Sequence, residues 1–311
     1  MQTDTETRRR RMAMLQVTLG AMLISFSPVF VKLVQVGPAT AAFYRMFFGG
    51  IILLVILLVR RERVSAGWGT LGLALLAGLF FALDLSLFHQ SILYVGPGLS
   101  TLLGNCQVFF LAAFGILVYR ERPGWLYLLS LPLAVVGIFL IVGGDWQGLS
   151  AQFKIGIWLS LGGAFCYATY LLLMGRPQAR AGALSPLANL TIICWITIPI
   201  LGGGSLLQGQ SLAIPDLRTG GLLLAYAIGS QVIGWWLISH GLPALDASRA
   251  GLLLLLQPAL AFLWDILFFQ RPTTIVEGLG AALTIWAIYM GTMGRSKHNA
   301  PLKLNSLKEN K

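Results

Sequence analysis

The sequence predicts an all-α integral membrane protein with ten transmembrane helices, arranged as two inverted five-helix repeats. Three observations predict it. Of 311 residues, 57% are hydrophobic and only 11% charged, a balance that a chain with a polar exterior does not reach. Apolar runs recur along the whole chain, each long enough to cross ~30 Å of hydrocarbon at ~1.5 Å per helical residue. The third is internal likeness: "QVFFLAAFGILVYRERPGW", 107–125, lies over "QPALAFLWDILFFQRPTTI", 257–275. In both, an apolar helix led by Gln ends in aromatics, turns on a basic Pro-containing stretch and continues into a Gly- and Ala-rich helix. Five spans per half is an odd number, so the second half enters the membrane from the opposite side.

The spans follow in order. Met12 to Leu33 comes after Arg8 to Arg11. Its apolar run is long for a signal peptide and no small-residue cleavage site follows closely, so it reads as an uncleaved first helix. "VGP", 36–38, turns the chain into Ala39 to Val59, which carries Arg45. Trp68 to Leu93 holds Asp84 and His89, and "VGPG", 95–98, separates it from Gly98 to Val118 with Thr101 and Asn105. "RERPG", 120–124, leads into Trp125 to Val142, which closes a first repeat over 1–147. The second repeat, 148–294, runs through Gly156 to Met174, Leu184 to Leu201, Gly221 to Ser239, Ser248 to Phe269 and Ile275 to Met293. Its turns are "GRPQARAG", "GLPALDAS" and "QRPTT", and 295–311 form a basic tail. Loops this short leave no room for a soluble domain between spans.

Charge sets the orientation. With the N-terminus in the cytoplasm, 16 of the 22 Lys and Arg fall in the N-terminal segment, the cytoplasmic loops and the tail. The positive-inside bias therefore puts both termini in the cytoplasm, in what is expected to be a bacterial inner membrane. The formal net charge of +11 arises in these loops. No folded basic surface with interleaved aromatics is present, which argues against a nucleic-acid partner. Cys106, Cys166 and Cys194 sit within spans without CxxC spacing and read as small packing residues, not as a metal site or disulfide framework.

Inverted repeats are a recurrent basis of secondary transporters, because similar halves can rock about a pseudo-two-fold axis in the membrane plane. This favours a carrier over an enzyme. HExxH, P-loop and GxSxG patterns are missing, and His89, His240 and His298 lie in different environments. A polar-lined channel is the alternative, and a membrane-embedded enzyme a weaker one. The expected partners are a small-molecule substrate and membrane lipid, with no cofactor and the coupling ion left open.

"FSPVFVKL", "FYRMFFGGIILL", "ALDLSLFHQSILYVGPGLSTLLGNCQVFF", "ERPGW" and "LLLLLQPALAFLWDILFF" resemble the EamA family of the drug/metabolite transporter superfamily over nearly the whole chain. Both halves of that family carry an "xxPxxxxxxxxxxxGER"-like segment. Here the first half has Val108 at the proline position and keeps Glu121-Arg122, while the second keeps Pro258 and has Gln270-Arg271. The resemblance implies a ten-helix carrier of small metabolites, amino acids among them, often moved outward.

Polar residues inside spans mark the pathway, since an intramembrane carboxylate usually faces the bundle interior or a wet cavity. Asp84 lies roughly 14 Å from the outer end of its helix at ~1.5 Å per residue, near the midplane. It reads either as a partner of Arg45 or as a charge on the pathway. His89 is about 140° away around the helix and closer to the outer water, with a pathway role or a structural hydrogen bond open to it. Thr101, Asn105, Gln231, Trp235 and Gln257 complete the substrate or pathway candidates. Arg45, Glu121, Arg122 and Pro258 are structural or gating candidates. Pro258 lacks an N–H and so frees a carbonyl one turn back. Asp265 and His240 rank lower, being expected near helix ends close to water.

Overall fold

A computed structural model describes residues 2–62, 67–119, 124–142, 147–178, 185–241, 245 and 253–293. Every regular element among them is helical: α1 Gln2–Ser25, α2 Ser27–Leu33, α3 Pro38–Val59, α4 Trp68–Gly104, α5 Gln107–Tyr119, α6 Trp125–Val142 and α7 Ala151–Gln178. α8 Pro186–Leu207 and α9 Leu217–Tyr226 follow, then a π-helical stretch Ala227–Gly234, α10 Trp235–Gly241, α11 Leu256–Phe269 and α12 Ile275–Met293. Six stretches are long and apolar enough to cross a membrane, namely Arg10–Leu33, Pro38–Val59, Gly69–Leu111, Ala151–Leu173, Leu187–Leu207 and Leu217–Ile238. Trp125–Ile141, Leu256–Phe269 and Ile275–Gly291 are shorter apolar helices. Large apolar side chains such as Leu58, Trp125, Phe139, Trp158 and Trp286 face outward. Lipid covers such a surface at no cost, whereas water would not. The chain is an integral membrane protein.

Local chemistry explains where helices start. Ser185 caps α8 by accepting the Ala188 N–H, and its own hydroxyl donates to Glu62. Asp216 caps α9 through the Thr219 N–H at 2.7 Å. At α12, Glu277 Oε2 accepts the Thr274 N–H at 2.6 Å and Thr274 Oγ1 accepts the Glu277 N–H at 3.2 Å, a reciprocal capping box.

Several expected boundaries differ from the observed ones. The first span divides at Phe26 into α1 and α2, because Pro28, in the first turn of α2, cannot donate to the carbonyl one turn back. The third and fourth spans run together through α4, interrupted only at Gly96, whose φ of 82° and ψ of 166° are open to glycine. The fourth breaks again after Gly104, where Asn105 Nδ2 donates to the Thr101 carbonyl at 2.8 Å. The chain resumes helix at Gln107.

Packing pairs elements from the two parts of the chain. α3 packs on α8, α6 on α12, α7 on α4, and α1 on α10, the π-helical stretch and α11. The α6–α12 contact is a glycine crossing: a Cβ on Gly280 would lie 2.6 Å from the Gly137 carbonyl oxygen, and one on Gly137 2.8 Å from that of Gly280. Short side-chain bonds tie other pairs, with Ser160 Oγ donating to Ser91 Oγ at 2.8 Å and Thr40 and Ser205 hydroxyls 2.6 Å apart. Inside lipid such bonds and close backbone approaches hold helices together where the hydrophobic effect does not. Cys106, Cys166 and Cys194 are buried and free.

Candidate functional site

The helix interruptions converge. Ile24, Ser27 and Pro28 flank the α1–α2 break, Gly104 and Asn105 the end of α4, Trp235 the end of the π-helical stretch, and Leu254 and Gln257 the start of α11; all line one cavity of about 350 Å³. Irregular backbone at membrane depth is tolerated where it faces such a cavity. Pro258 is buried and cannot bond the Leu254 carbonyl one turn back, and Leu254 is itself on the cavity wall. Aromatic wall comes from Phe81, Phe88, Tyr167 and Trp235.

Two ionisable side chains face this space, Arg45 from α3 and Asp84 from α4. They do not form an ion pair with one another, one of the two arrangements open from sequence. Arg45 is only 5% exposed. Its Nε donates to Gln231 Oε1 at 3.0 Å and its Nη1 to the Tyr226 hydroxyl at 3.2 Å. Gln231 is oriented in turn, its Nε2 lying 3.4 Å from Cys194 Sγ. Asp84 has room because Gly163 of α7 lacks a side chain: a Cβ there would sit 3.3 Å from Asp84 Oδ1.

Asp84, Thr101, Asn105, Trp235, Gln257 and Arg45 line the one cavity. Gln231 and His89 do not, and form a layer behind it. His89, expected nearer the outer water, is fully buried. Its Nδ1 lies 2.7 Å from the Leu85 carbonyl oxygen, which can only accept, so that nitrogen carries the hydrogen. Nε2 of the neutral ring then accepts from the Tyr226 hydroxyl at 3.0 Å. His89 holds the tyrosine that holds Arg45.

Asp265 also departs from expectation. Placed near water by counting residues, it is 1% exposed, accepts the Gly98 N–H at 3.1 Å just past the Gly96 interruption, and pairs with Lys32 at 3.8 Å and Arg271 at 3.7 Å. Its helix end is covered by the bend of α4, a tertiary contact that depth counting does not register. Glu121 and Arg122 lie outside the described residues. Ser27, Tyr167 and Tyr226 were missed. "FSPVF" signalled the first through its proline, whereas single tyrosines in apolar spans carry no signal that separates packing from pathway.

A bundle of apolar helices around a cavity whose largely apolar wall carries a few polar groups defines a polytopic membrane protein with room for a small molecule. The model of the EamA-like transporter family matches residues 11–143 and again 154–293; the chain belongs to that family and is a transporter. Among its relatives, a Salmonella typhimurium protein named "Probable amino-acid metabolite efflux pump" is 24% identical over 63% of this chain and 68% of its own length. The Escherichia coli protein of the same name is 24% identical over 73% of this chain and 76% of its own. Bacillus subtilis "Uncharacterized transporter YdfC" is 25% identical over 84% of each. One crystal structure aligns over 93% of this chain and 99% of its own, with a TM-score of 0.65 at 16% identity, which speaks to fold alone.

Proposed function

We propose that the protein is a secondary exporter of small metabolites such as amino acids. It works by alternating access between two inverted five-helix repeats, 1–147 and 148–294, with ten crossings and both termini in the cytoplasm of a bacterial inner membrane. The observation that carries this reading is the cavity itself, where interrupted helices from both halves of the chain meet. Discontinuous helices at a repeat interface are how carriers present backbone groups to a substrate. The pairing supports the symmetry: α3 and α8 are the second span of each half, α6 and α12 the last, and each pair packs together. Two family matches, over 11–143 and 154–293, support reading the chain as two halves, and relatives bear efflux names.

In the proposed topology Leu171, Ile238 and Leu254 would lie at the cytoplasmic end of the cavity wall, with the packed Phe30, Phe88, Ile92 and Tyr226 toward the outer side. The test is transport. Ligands that stabilise the purified protein across amino acids, nucleosides and sugars are found first, since any bound ligand stabilises by mass action. Each is then loaded into proteoliposomes. Saturable efflux that requires the protein supports the reading, and efflux equal to protein-free liposomes for every stabilising ligand refutes it.

A further inference from the structure

Building on the transporter reading above, we propose that Lys32, Asp265 and Arg271, with the Gly96–Gly98 bend of α4, form a latch between the two halves of the chain. In the proposed topology it closes the outer end of the cavity and has to open in each transport cycle. Lys32 and the bend belong to the first half, Asp265 and Arg271 to the second. Asp265 Oδ2 accepts the Gly98 N–H at 3.1 Å. Its oxygens face both cations, Oδ1 at 3.8 Å from Lys32 Nζ and Oδ2 at 3.7 Å from Arg271 Nη1. Lys32 also lies over the Phe269 ring of α11, 4.3 Å from its centroid. One carboxylate of the second half thus holds a helix end and a side chain of the first.

The position of this contact gives it a role in access. Three elements that line the cavity carry the latch further along: α2 from Ser27 and Pro28 to Lys32, α4 from Thr101 back to Gly98, and α11 from Gln257 to Asp265. Eight residues of α11 at ~1.5 Å each set the carboxylate about 12 Å along the helix from Gln257. Phe30 and Val31, between Pro28 and Lys32, pack with Phe88 and Ile92 of α4 and with Tyr226, and Phe88 is itself on the cavity wall. A path out of the cavity at this end therefore leads between the elements that the latch joins.

The closed arrangement is under-bonded, which suits a contact that has to release. Both ion-pair distances exceed the roughly 2.7–3.2 Å of an N–H···O bond. Asp265 is 1% exposed, yet its Oδ1 and Arg271 Nη1 have no hydrogen-bond partner among the described residues. Buried charges bonded this incompletely recover little of their desolvation, and opening toward water lets both complete their bonds. A hinge lies beside them. Gly96 breaks the helix, and Pro97 cannot donate to the Leu93 carbonyl one turn back, so α4 has fewer bonds to hold it straight here. The glycines also allow the closure: a Cβ on Gly96 would lie 2.8 Å from Asp265 Oδ2, and one on Gly98 2.8 Å from Phe262 Cα.

The experiment reads which side of the membrane reaches the cavity. Ile24→Cys, half-buried on the wall, is the reporter in a Cys-free background. A membrane-impermeant maleimide labels it from outside in intact cells and from the cytoplasmic side in inverted vesicles. Asp265→Asn added to the reporter is expected to raise the outside-to-cytoplasmic ratio of labelling rates about fivefold, the shift that losing one modest interaction gives a two-state equilibrium. Lys32→Gln, which leaves Asp265 its Arg271 partner, is expected to raise it less, by more than about twofold. If Asp265→Asn fails to fold, Lys32→Gln decides. A ratio within about twofold of the reporter's in a folded variant, less than one such interaction, overturns the latch, and a shift toward the cytoplasmic side overturns its placement at the outer end. Labelling needs no transported ligand, so these results leave the transporter reading standing; that reading fails in the efflux assay, if stabilising ligands are not moved.

Discussion

Tyr226→Phe removes a single oxygen at the point where three buried groups meet. The ring stays: its stacking on Phe30 at 5.7 Å and its position beside the Arg45 guanidinium at 5.3 Å need no hydroxyl. Lost are the bond accepted from Arg45 Nη1 and the bond donated to His89 Nε2. A buried group stripped of its partner costs about 1–3 kcal/mol. His89 is fully buried, so its share counts in full. Arg45 keeps Gln231 and can turn toward the cavity, so its share falls at the low end. The expected loss is about 2–4 kcal/mol of folding stability from these two shares, with weaker ligand binding because the guanidinium is less firmly held. Reversible unfolding in mixed detergent micelles measures the first and equilibrium binding the second. A double-mutant cycle with His89→Gln should give coupling of about 0.5–3 kcal/mol, as expected for residues in one network. Stability within about 0.5 kcal/mol of wild type, the range of an inert surface change, together with unchanged affinity, would refute the idea that Tyr226 positions Arg45.

Four further outcomes are expected. Gly280→Leu should break the α6–α12 crossing, since even a Cβ there meets the Gly137 carbonyl oxygen at 2.6 Å; a loss of more than about 1–3 kcal/mol, the ordinary cost of overpacking, appears as a lowered thermal midpoint. Asp265→Asn should cost about 1–3 kcal/mol, less than the ~3–5 of a fully buried pair because Lys32 is 36% exposed; thermal unfolding checks it. Asp216, at the water-facing start of α9, has its carboxyl held below its ordinary value of 3.8 by the Thr219 N–H. A depressed folded value means that its stabilisation is complete above pH 3.8 and is lost as pH falls through the folded value. The difference in midpoint between wild type and Asp216→Ala should therefore be present at pH 7 and shrink in strong acid. For topology, Cys introduced at Gly67 and at Ser150 in a Cys-free background should label from opposite sides, Ser150→Cys in intact cells and Gly67→Cys only after permeabilisation; labelling of both from one side contradicts the proposed crossings.

Much of the cavity wall was legible because polar residues in apolar helices are few and costly. Arg45, Asp84, Thr101, Asn105, Trp235 and Gln257 stand out by that rule, and the structure gathers them around one cavity. What the rule cannot supply is the neighbour. Helical periodicity puts His89 on a different face from Asp84, and the structure fills that face with Tyr226, a contact 137 residues distant in sequence. Asp265 was misplaced for a related reason: distance along a helix measures depth only if the helix end meets water, and here the bend at Gly96 covers it. Boundaries were blurred where backbone exceptions are brief. One glycine at positive φ joins two expected spans into α4, and the π-helical stretch over Ala227–Gly234 keeps the apolar pattern of an ordinary helix.

Counterflow distinguishes a carrier most directly from a pore or a passive binding protein. Proteoliposomes are loaded at high concentration with an unlabelled ligand that stabilises the purified protein and diluted into a trace of the same ligand carrying a label. Alternating access predicts a transient accumulation of label above the outside concentration, absent without internal ligand, because each outward turn returns an empty outward-facing site. Entry of label that only approaches the outside concentration, whatever the internal ligand, would contradict it.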